Sequence, residues 1–187
     1  PGRGMSLRAF DIARLPRILF GAGRVAEAPA QAAAWGRRVL LVTGGRSFFG
    51  TGRWEQLLSG LQAQGLEWRY TQVLDEPSPE LVDTAVDAHR DWEPEVVLGI
   101  GGGSVLDAAK AIAGLLSHTT RVLDHLEGVG RGIPYRGPAT PFIAVPTTAG
   151  TGSEATKNAV LSVRGESGFK KSFRHDALVA QSAIVDP

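Results

Sequence analysis

The stretch of residues 96–110 constrains the fold most, because it joins an apolar run to a helical pattern through consecutive glycines. Residues 96–100 are apolar and bounded by glycine, which is typical of a strand in a parallel sheet buried on both faces. The helix that follows has one apolar face, formed by Val105, Ala108, Ala109, Ile112 and Leu116. Ser104 is predicted to be the N-cap, with Asp107 completing a capping box.

Three glycines, residues 101–103, separate this strand from its helix. They carry no Cβ that would obstruct a ligand, and the N-terminus of a helix offers free backbone N–H groups to an anion such as phosphate. The alternative is a tight turn that needs glycine only for its backbone dihedrals. Locally, both interpretations stay open.

Short strands alternate with helices as far as residue 116. Strands are predicted at 14–20, 38–43, 66–74 and from 96, and helices at 25–35, 54–64, 78–90 and up to 116. This alternation predicts an α/β fold with a parallel sheet that helices cover on both faces. Residues 118–139 are interpreted as a surface excursion, before strands at 142–146 and 182–187 and an antiparallel hairpin formed by 158–163 and 170–173.

Several loops are expected to meet at the carboxyl edge of this sheet, where parallel α/β proteins bind ligands. They contain Gly44-Gly45, Glu76-Pro77-Ser78 and the glycines at 101–103. Residues 147–156 follow a further strand and are nearly all small or hydroxyl-bearing, so they can surround sugar and phosphate oxygens. Taken alone, that segment is better explained as an ordinary glycine- and threonine-rich turn.

Composition bounds the remaining choices. The 187 residues are 43% hydrophobic and 21% charged with a net charge of +1, which indicates one globular domain and gives no reason to expect a nucleic-acid or membrane partner. The chain contains no cysteine, which excludes disulfides and is typical of a cytoplasmic protein. No apolar run reaches the ~20 residues that span a bilayer. Residues 1–4 precede Met5 and are interpreted as a cloning remnant, leaving 5–187 as the domain.

Two motifs at a fixed separation resemble those of the iron-containing (group III) alcohol dehydrogenase family. The first is Gly101-Gly102-Gly103-Ser104-x-x-Asp107-x-x-Lys110, and the second runs from Pro146-Thr147-Thr148 to Glu154. The resemblance extends from Leu15 to the end of the sequence. It implies a Rossmann-like domain, similar to the N-terminal domain of dehydroquinate synthase, that binds NAD or NADP.

The resemblance also implies roles for individual residues. Gly102, Gly103 and Ser104 would contact the cofactor pyrophosphate, with Asp107 nearby on the same helix. The remaining contacts, to the ribose and nicotinamide side, would come from Thr147, Thr148, Thr151, Asn158 and Lys170.

Members of the family carry a second, helical domain whose aspartate and three histidines bind Fe²⁺ or Zn²⁺. None of the four histidines of this sequence, at 89, 118, 125 and 175, matches those positions, so we expect no catalytic or metal-binding residue here and interpret the histidines as solvated surface residues. The expected function is that of the cofactor-binding half of a dehydrogenase acting on small alcohols or aldehydes, inactive alone. A homodimer is compatible with the resemblance.

The sequence departs from the family pattern at two positions. Gly44 stands where many members have an aspartate that binds the adenosine ribose, and a carboxylate there would repel a 2′-phosphate. With Arg46 close by, this change favours NADP over NAD. Glu76 replaces a frequent asparagine, which leaves its cofactor contact open.

Two alternatives remain at this stage. One is a lyase of the dehydroquinate-synthase type, although that type typically continues with a Gly-Gly-Lys stretch where this sequence has residues 149–154. The other is a metal-free nucleotide-binding module without chemistry of its own.

Overall fold

The computed structural model describes residues 13–45, 48–49 and 52–187 and confirms the α/β class. Six parallel strands form one sheet in the order β1-β8-β5-β4-β2-β3, and β6 and β7 pair antiparallel as a separate hairpin. The strands are β1 (Arg17–Phe20), β2 (Arg38–Gly44), β3 (Glu67–Val73), β4 (Val96–Gly101), β5 (Phe142–Pro146), β6 (Asn158–Val163), β7 (Phe169–Arg174) and β8 (Ser182–Val185).

Helices cover both faces of the sheet, as predicted. They are α1 (Ala28–Ala33), α2 (Arg53–Ala63), α3 (Pro79–His89) and α4 (Gly103–Leu115). Successive residues of a strand point to opposite faces of the sheet and belong to two separate hydrophobic cores. In β2, Leu40 and Val42 pack with α3 and α4. Val39 and Leu41 pack with α1 and α2 on the other face. This two-residue period explains why the central strands are apolar throughout.

The strand order changes direction between β2 and β4. From β2 the chain moves outward to β3 at the edge, then returns across β2 to form β4 and continues to β5 on the other side. Connections that leave two neighbouring strands in opposite directions open a crevice at their carboxyl ends. Gly44 ends β2 and Gly101 ends β4, so both predicted glycine loops border that crevice.

Helix α4 is buried around nearly its whole circumference, whereas the sequence predicted one apolar face. From Val105 to Leu115 every residue except Asp107 is buried. One side packs on the sheet, and the hairpin β6–β7 covers another. Gly114 permits this second contact, since a Cβ there would lie 2.7 Å from Leu178 and 2.8 Å from Phe173.

The first predicted helix, at 25–35, is shorter and less regular than expected. A 3₁₀ turn spans Arg24–Glu27, and the α-helix covers only Ala28–Ala33, with Pro29 in its first turn. The helix ends at Ala33 with Ala34 as its C-cap, so Gly36 lies outside it. Gly36 instead allows the Glu95 side chain to approach and accept hydrogen bonds from the N–H groups of Arg37 and Arg38.

Three of the four histidines pack on one tyrosine of the excursion, and their interpretation as solvated residues is wrong. The rings of His118, His125 and His175 lie 5.0–5.5 Å from that of Tyr135, centroid to centroid. The Tyr135 hydroxyl lies 2.7 Å from the carbonyl oxygen of Gly114 and 2.9 Å from that of Pro138, so its one proton is shared between them. The cluster therefore ties the excursion to the end of α4.

Within the described part of the chain, no helix has both the length and the apolar character needed to cross a membrane.

Candidate functional site

The N-terminus of α4 is free of side-chain caps. The helix begins at Gly103 with Gly102 as N-cap, and within the described part of the chain no side chain caps its first turn. The predicted cap at Ser104 is therefore wrong, because Ser104 is the second helical residue and its side chain is exposed. Backbone N–H groups without side-chain partners at the switch point can bind an anion such as a phosphate.

A stripe of small and polar residues runs down the side of α4 that faces the C-terminal part of the chain. Gly103, Asp107, Lys110 and Gly114 are spaced three or four residues apart and so share one face. The loop 147–156 packs along the first part of this stripe. A Cβ at Gly103 would lie 2.6 Å from Thr151, so glycine is needed for this close approach.

Asp107 connects α4 to that loop. Its carboxylate accepts a 2.5 Å hydrogen bond from the Ser153 hydroxyl. Gly152 has a left-handed backbone with φ of 65°, which turns the chain so that Ser153 points at the helix. Burial raises the pKa of Asp107, while the Ser153 hydrogen bond and the Lys110 ammonium oppose that shift.

Lys110 is completely buried and makes the densest set of polar contacts at the site. Its Nζ donates to the carbonyl oxygens of Ser153 and Asn158, both at 2.7 Å, and lies 3.2 Å from the hydroxyls of Ser153 and Thr156. The Asp107 carboxylate lies 3.9 Å away. One ammonium group therefore joins the loop after β5 to the first residue of β6.

Asn158 and Lys170 lie on one face of the hairpin. Ser162 pairs with Lys170 in the register, and Asn158 is four residues before Ser162, so all three point the same way. Asn158 Oδ1 is buried and has no hydrogen-bond partner among the described residues. A ligand hydroxyl or amide could supply the missing donor. Lys171 points to the opposite face, with Leu161 and Phe173.

A cavity of about 500 Å³ lies at the carboxyl edge of the sheet. Thr147 and Thr148 line one side, with Ile100 and Val145 beneath them and Arg53 at the rim. The Thr147 N–H donates to the Gly101 carbonyl oxygen, which fixes the start of the loop beside the glycine turn. The exposed threonine hydroxyls can donate to ligand oxygens.

The adenosine side of the predicted site is described only in part. Gly44 ends β2, and a Cβ there would lie 3.6 Å from Val105, an ordinary contact. Arg46 lies outside the described residues, so the structure does not place its side chain. Glu76 is exposed and borders a second cavity of about 420 Å³, together with Asp75 and Glu80. The lining carries these three carboxylates and one arginine, Arg164, and its net negative charge is unfavourable for a phosphate.

The structure brings most of the predicted cofactor-binding residues to α4 and the loops around its N-terminus. It also shows one polar residue at this site, Lys110, for which the sequence predicted no role. Lys110 is the last residue of the first motif. Its only sequence indication is a lysine in a helix whose neighbours are alanine and isoleucine. Among the described residues, no group of three or more His, Asp or Glu side chains could hold a metal ion.

Fold and site together place the chain in the doubly wound α/β class. The family model "Iron-containing alcohol dehydrogenase" matches residues 16–187. A relative, long-chain-alcohol dehydrogenase 1 of Geobacillus thermodenitrificans, is 42% identical over 135 residues, covering 71% of this chain and 33% of that enzyme. The chain belongs to the iron-containing alcohol dehydrogenase family.

Solved structures agree with this assignment. NADH-dependent butanol dehydrogenase A from Thermotoga maritima is 30% identical with a TM-score of 0.84, covering 96% of this chain and 44% of that one. Sulfoacetaldehyde reductase from Bifidobacterium kashiwanohense in complex with NAD⁺ is 31% identical with a TM-score of 0.82, covering 96% and 46%. The chain thus spans a third to a half of the length of these relatives.

Proposed function

We propose that this chain is the NAD(P)-binding part of a metal-dependent dehydrogenase that interconverts alcohols with aldehydes or ketones. The observation that carries the proposal is the N-terminus of α4 at the switch point between β2 and β4, which no described side chain caps. Gly102, Gly103 and Ser104 would bind the pyrophosphate there. When bound, the nicotinamide supplies C4 as the hydride acceptor or donor.

The surrounding residues support the same placement. Thr147, Thr148 and Thr151 would contact the ribose and nicotinamide side from the loop after β5. The buried Asn158 Oδ1 lacks a partner among the described residues, and a ribose hydroxyl could donate to it. Lys170 extends from the same face of the hairpin and would add a cation.

Direct titration tests the proposal. We expect the purified chain to bind NADH or NADPH saturably at a 1:1 ratio, with weak affinity because only part of the family's fold is present. Calorimetry and the fluorescence of the reduced nicotinamide provide two independent readouts. Adenosine serves as the control ligand without phosphates, and equal affinity for adenosine and for the dinucleotide would contradict binding through the pyrophosphate.

We further propose that NADP(H) is preferred, because Gly44 leaves space for a 2′-phosphate and Arg46 lies two residues further on. The change Gly44→Asp is expected to lower the ratio of NADP⁺ to NAD⁺ affinity at least about tenfold, since the carboxylate repels the 2′-phosphate. The backbone at Gly44 accepts a side chain without close contacts. Gly44→Asn has the same size without the charge and should change the ratio much less. Tighter binding of NAD⁺ than of NADP⁺ by the unmodified chain would refute the preference.

The metal centre is proposed to lie in the helical domain that the family resemblance implies, outside this sequence. The described residues offer no metal cluster, and no catalytic step is assigned to them. The chain alone is accordingly expected to show no turnover of alcohols, and homodimer formation and a cytoplasmic location remain predictions. The matched relatives are alcohol dehydrogenases, which favours this function over the lyase or a module without chemistry.

A further inference from the structure

The buried Lys110 is the strongest polar feature without an assigned role. A fully buried lysine is costly unless its ammonium group is completely satisfied by hydrogen bonds and a counter-charge. Here two carbonyl oxygens at 2.7 Å, two hydroxyls at 3.2 Å and the Asp107 carboxylate surround Nζ. Every hydrogen-bond acceptor comes from the segment 153–158, so the contacts fix the position of that segment on α4.

We propose that Lys110 is a positioning residue that holds the loop 147–156 in its nucleotide-binding arrangement. This inference rests on the proposed function, since the loop carries Thr147, Thr148 and Thr151. The loop is attached to β5 at one end, and the Lys110 contacts anchor its other end at Ser153 and Asn158. Between these anchors, five exposed residues at 147–151 lie at the carboxyl edge of the sheet.

The Asp107–Ser153 hydrogen bond extends the Lys110 contacts into a hydrogen-bond network between α4 and the loop. The Ser153 hydroxyl donates to Asp107 and lies within 3.2 Å of Lys110 Nζ, so helix and loop share one connected set of polar groups. A neutral amine has two N–H groups, which suffice for the two carbonyl oxygens at 2.7 Å, and its lone pair would then face the hydroxyl oxygens of Ser153 and Thr156. An ammonium group has a third N–H for these oxygens and a charge that complements the Asp107 carboxylate. The charged form of Lys110 is therefore the one that matches the site.

The protonation state of Lys110 is expected to make nucleotide affinity depend on pH. Burial lowers the pKa of Lys110 to about 8, and the carboxylates of Asp107 and Glu154 oppose that shift. The facing groups are Asp107 on α4, Glu154 on the loop and Lys170 on β7, whose ammonium also acts on Asp107. A nucleotide bound nearby adds negative charge and favours protonated Lys110. By linkage, nucleotide affinity must then fall as the pH rises through about 8.

The test compares nucleotide affinity in Lys110→Met and the unmodified chain between pH 7 and pH 9.5. Methionine keeps most of the side-chain volume but cannot donate. We expect at least a tenfold loss of NADPH affinity at pH 7 and a flat pH profile above it, whereas the unmodified chain loses affinity above pH 8. Amide hydrogen exchange of residues 147–156 without nucleotide should be faster in the variant.

Two further variants keep the test decisive if Lys110→Met folds poorly. Ser153→Ala removes the shared hydroxyl but leaves both carbonyl acceptors, so a smaller loss of affinity with the pH dependence retained is expected. Lys157→Met breaks the exposed Lys157–Asp176 ion pair close by and should leave affinity and pH profile unchanged.

The failures of the two proposals are distinguishable. If the unmodified chain binds nucleotide and folded Lys110→Met binds it equally well with unchanged loop exchange, the role of Lys110 is refuted and the proposed function stands. An unmodified chain that binds no nucleotide overturns the proposed function, and the role of Lys110 in nucleotide binding with it.

Discussion

Replacing Gly103 with valine is expected to lower the affinity for NADPH at least about a hundredfold, equivalent to about 2.7 kcal/mol. The side chain would stand at the first residue of α4, beside the N–H groups proposed to bind the pyrophosphate. It would also meet the loop, because even a Cβ at this position comes within 2.6 Å of Thr151 Cγ2 and 2.7 Å of its Oγ1. Calorimetric titration of a variant with unchanged circular dichroism provides the measurement.

Two causes could produce that loss, and a second variant separates them. The double variant Gly103→Ala with Thr151→Gly removes the contact between helix and loop while keeping a methyl group beside the phosphate site. If affinity stays low relative to Thr151→Gly alone, the methyl group excludes the phosphate directly. If the double variant binds NADPH as tightly as Thr151→Gly alone, displacement of the loop explains the loss of affinity in Gly103→Val. A folded Gly103→Val chain with unchanged affinity would contradict the assignment of the pyrophosphate to this helix.

Replacing Gly114 with valine is expected to destabilise the chain by about 3 kcal/mol, the upper part of the usual range for overpacked cores. A Cβ at Gly114 would lie 2.7 Å from Leu178 Cδ2 and 2.8 Å from Phe173 Cε1, and both side chains are buried. The hairpin would have to move away from α4. Urea unfolding followed by circular dichroism measures the change in the free energy of unfolding.

Two further variants serve as controls for Gly114→Val. Gly114→Ala should cost less, because alanine adds one methyl group and improves helix propensity by about 1 kcal/mol. Phe173→Leu shortens the facing side chain, so the double variant with Gly114→Val should lose less than the sum of the two single changes. A Gly114→Val chain as stable as the unmodified protein would show that the hairpin does not depend on this close contact.

Most of the fold was predictable from local patterns. The strand at 96–101 and the helix at 79–89 were located to within a residue or two, since apolar runs and capping residues are properties of short segments. The start of the helix predicted at 78–90 is the clearest case, because in the structure the Ser78 hydroxyl accepts a hydrogen bond from the Leu81 N–H and caps the helix. At Ser104 the same kind of reasoning failed. The glycine turn lets the helix begin two residues earlier, at Gly103 with Gly102 as N-cap, and the Asp107 carboxylate accepts its hydrogen bond from Ser153 in the loop.

The sequence by itself determined the order of the elements, the parallel sheet and the family, because these follow from periodicity and from two motifs with a fixed separation. Only the tertiary structure decided how α4 is used. The faces of that helix are all apolar or small apart from Asp107 and Lys110, so periodicity cannot show that the hairpin covers one of them. A buried ammonium group is stable only where acceptors surround it, and the carbonyl acceptors of Lys110 lie more than forty residues away in the chain, so no pattern within the helix predicts them.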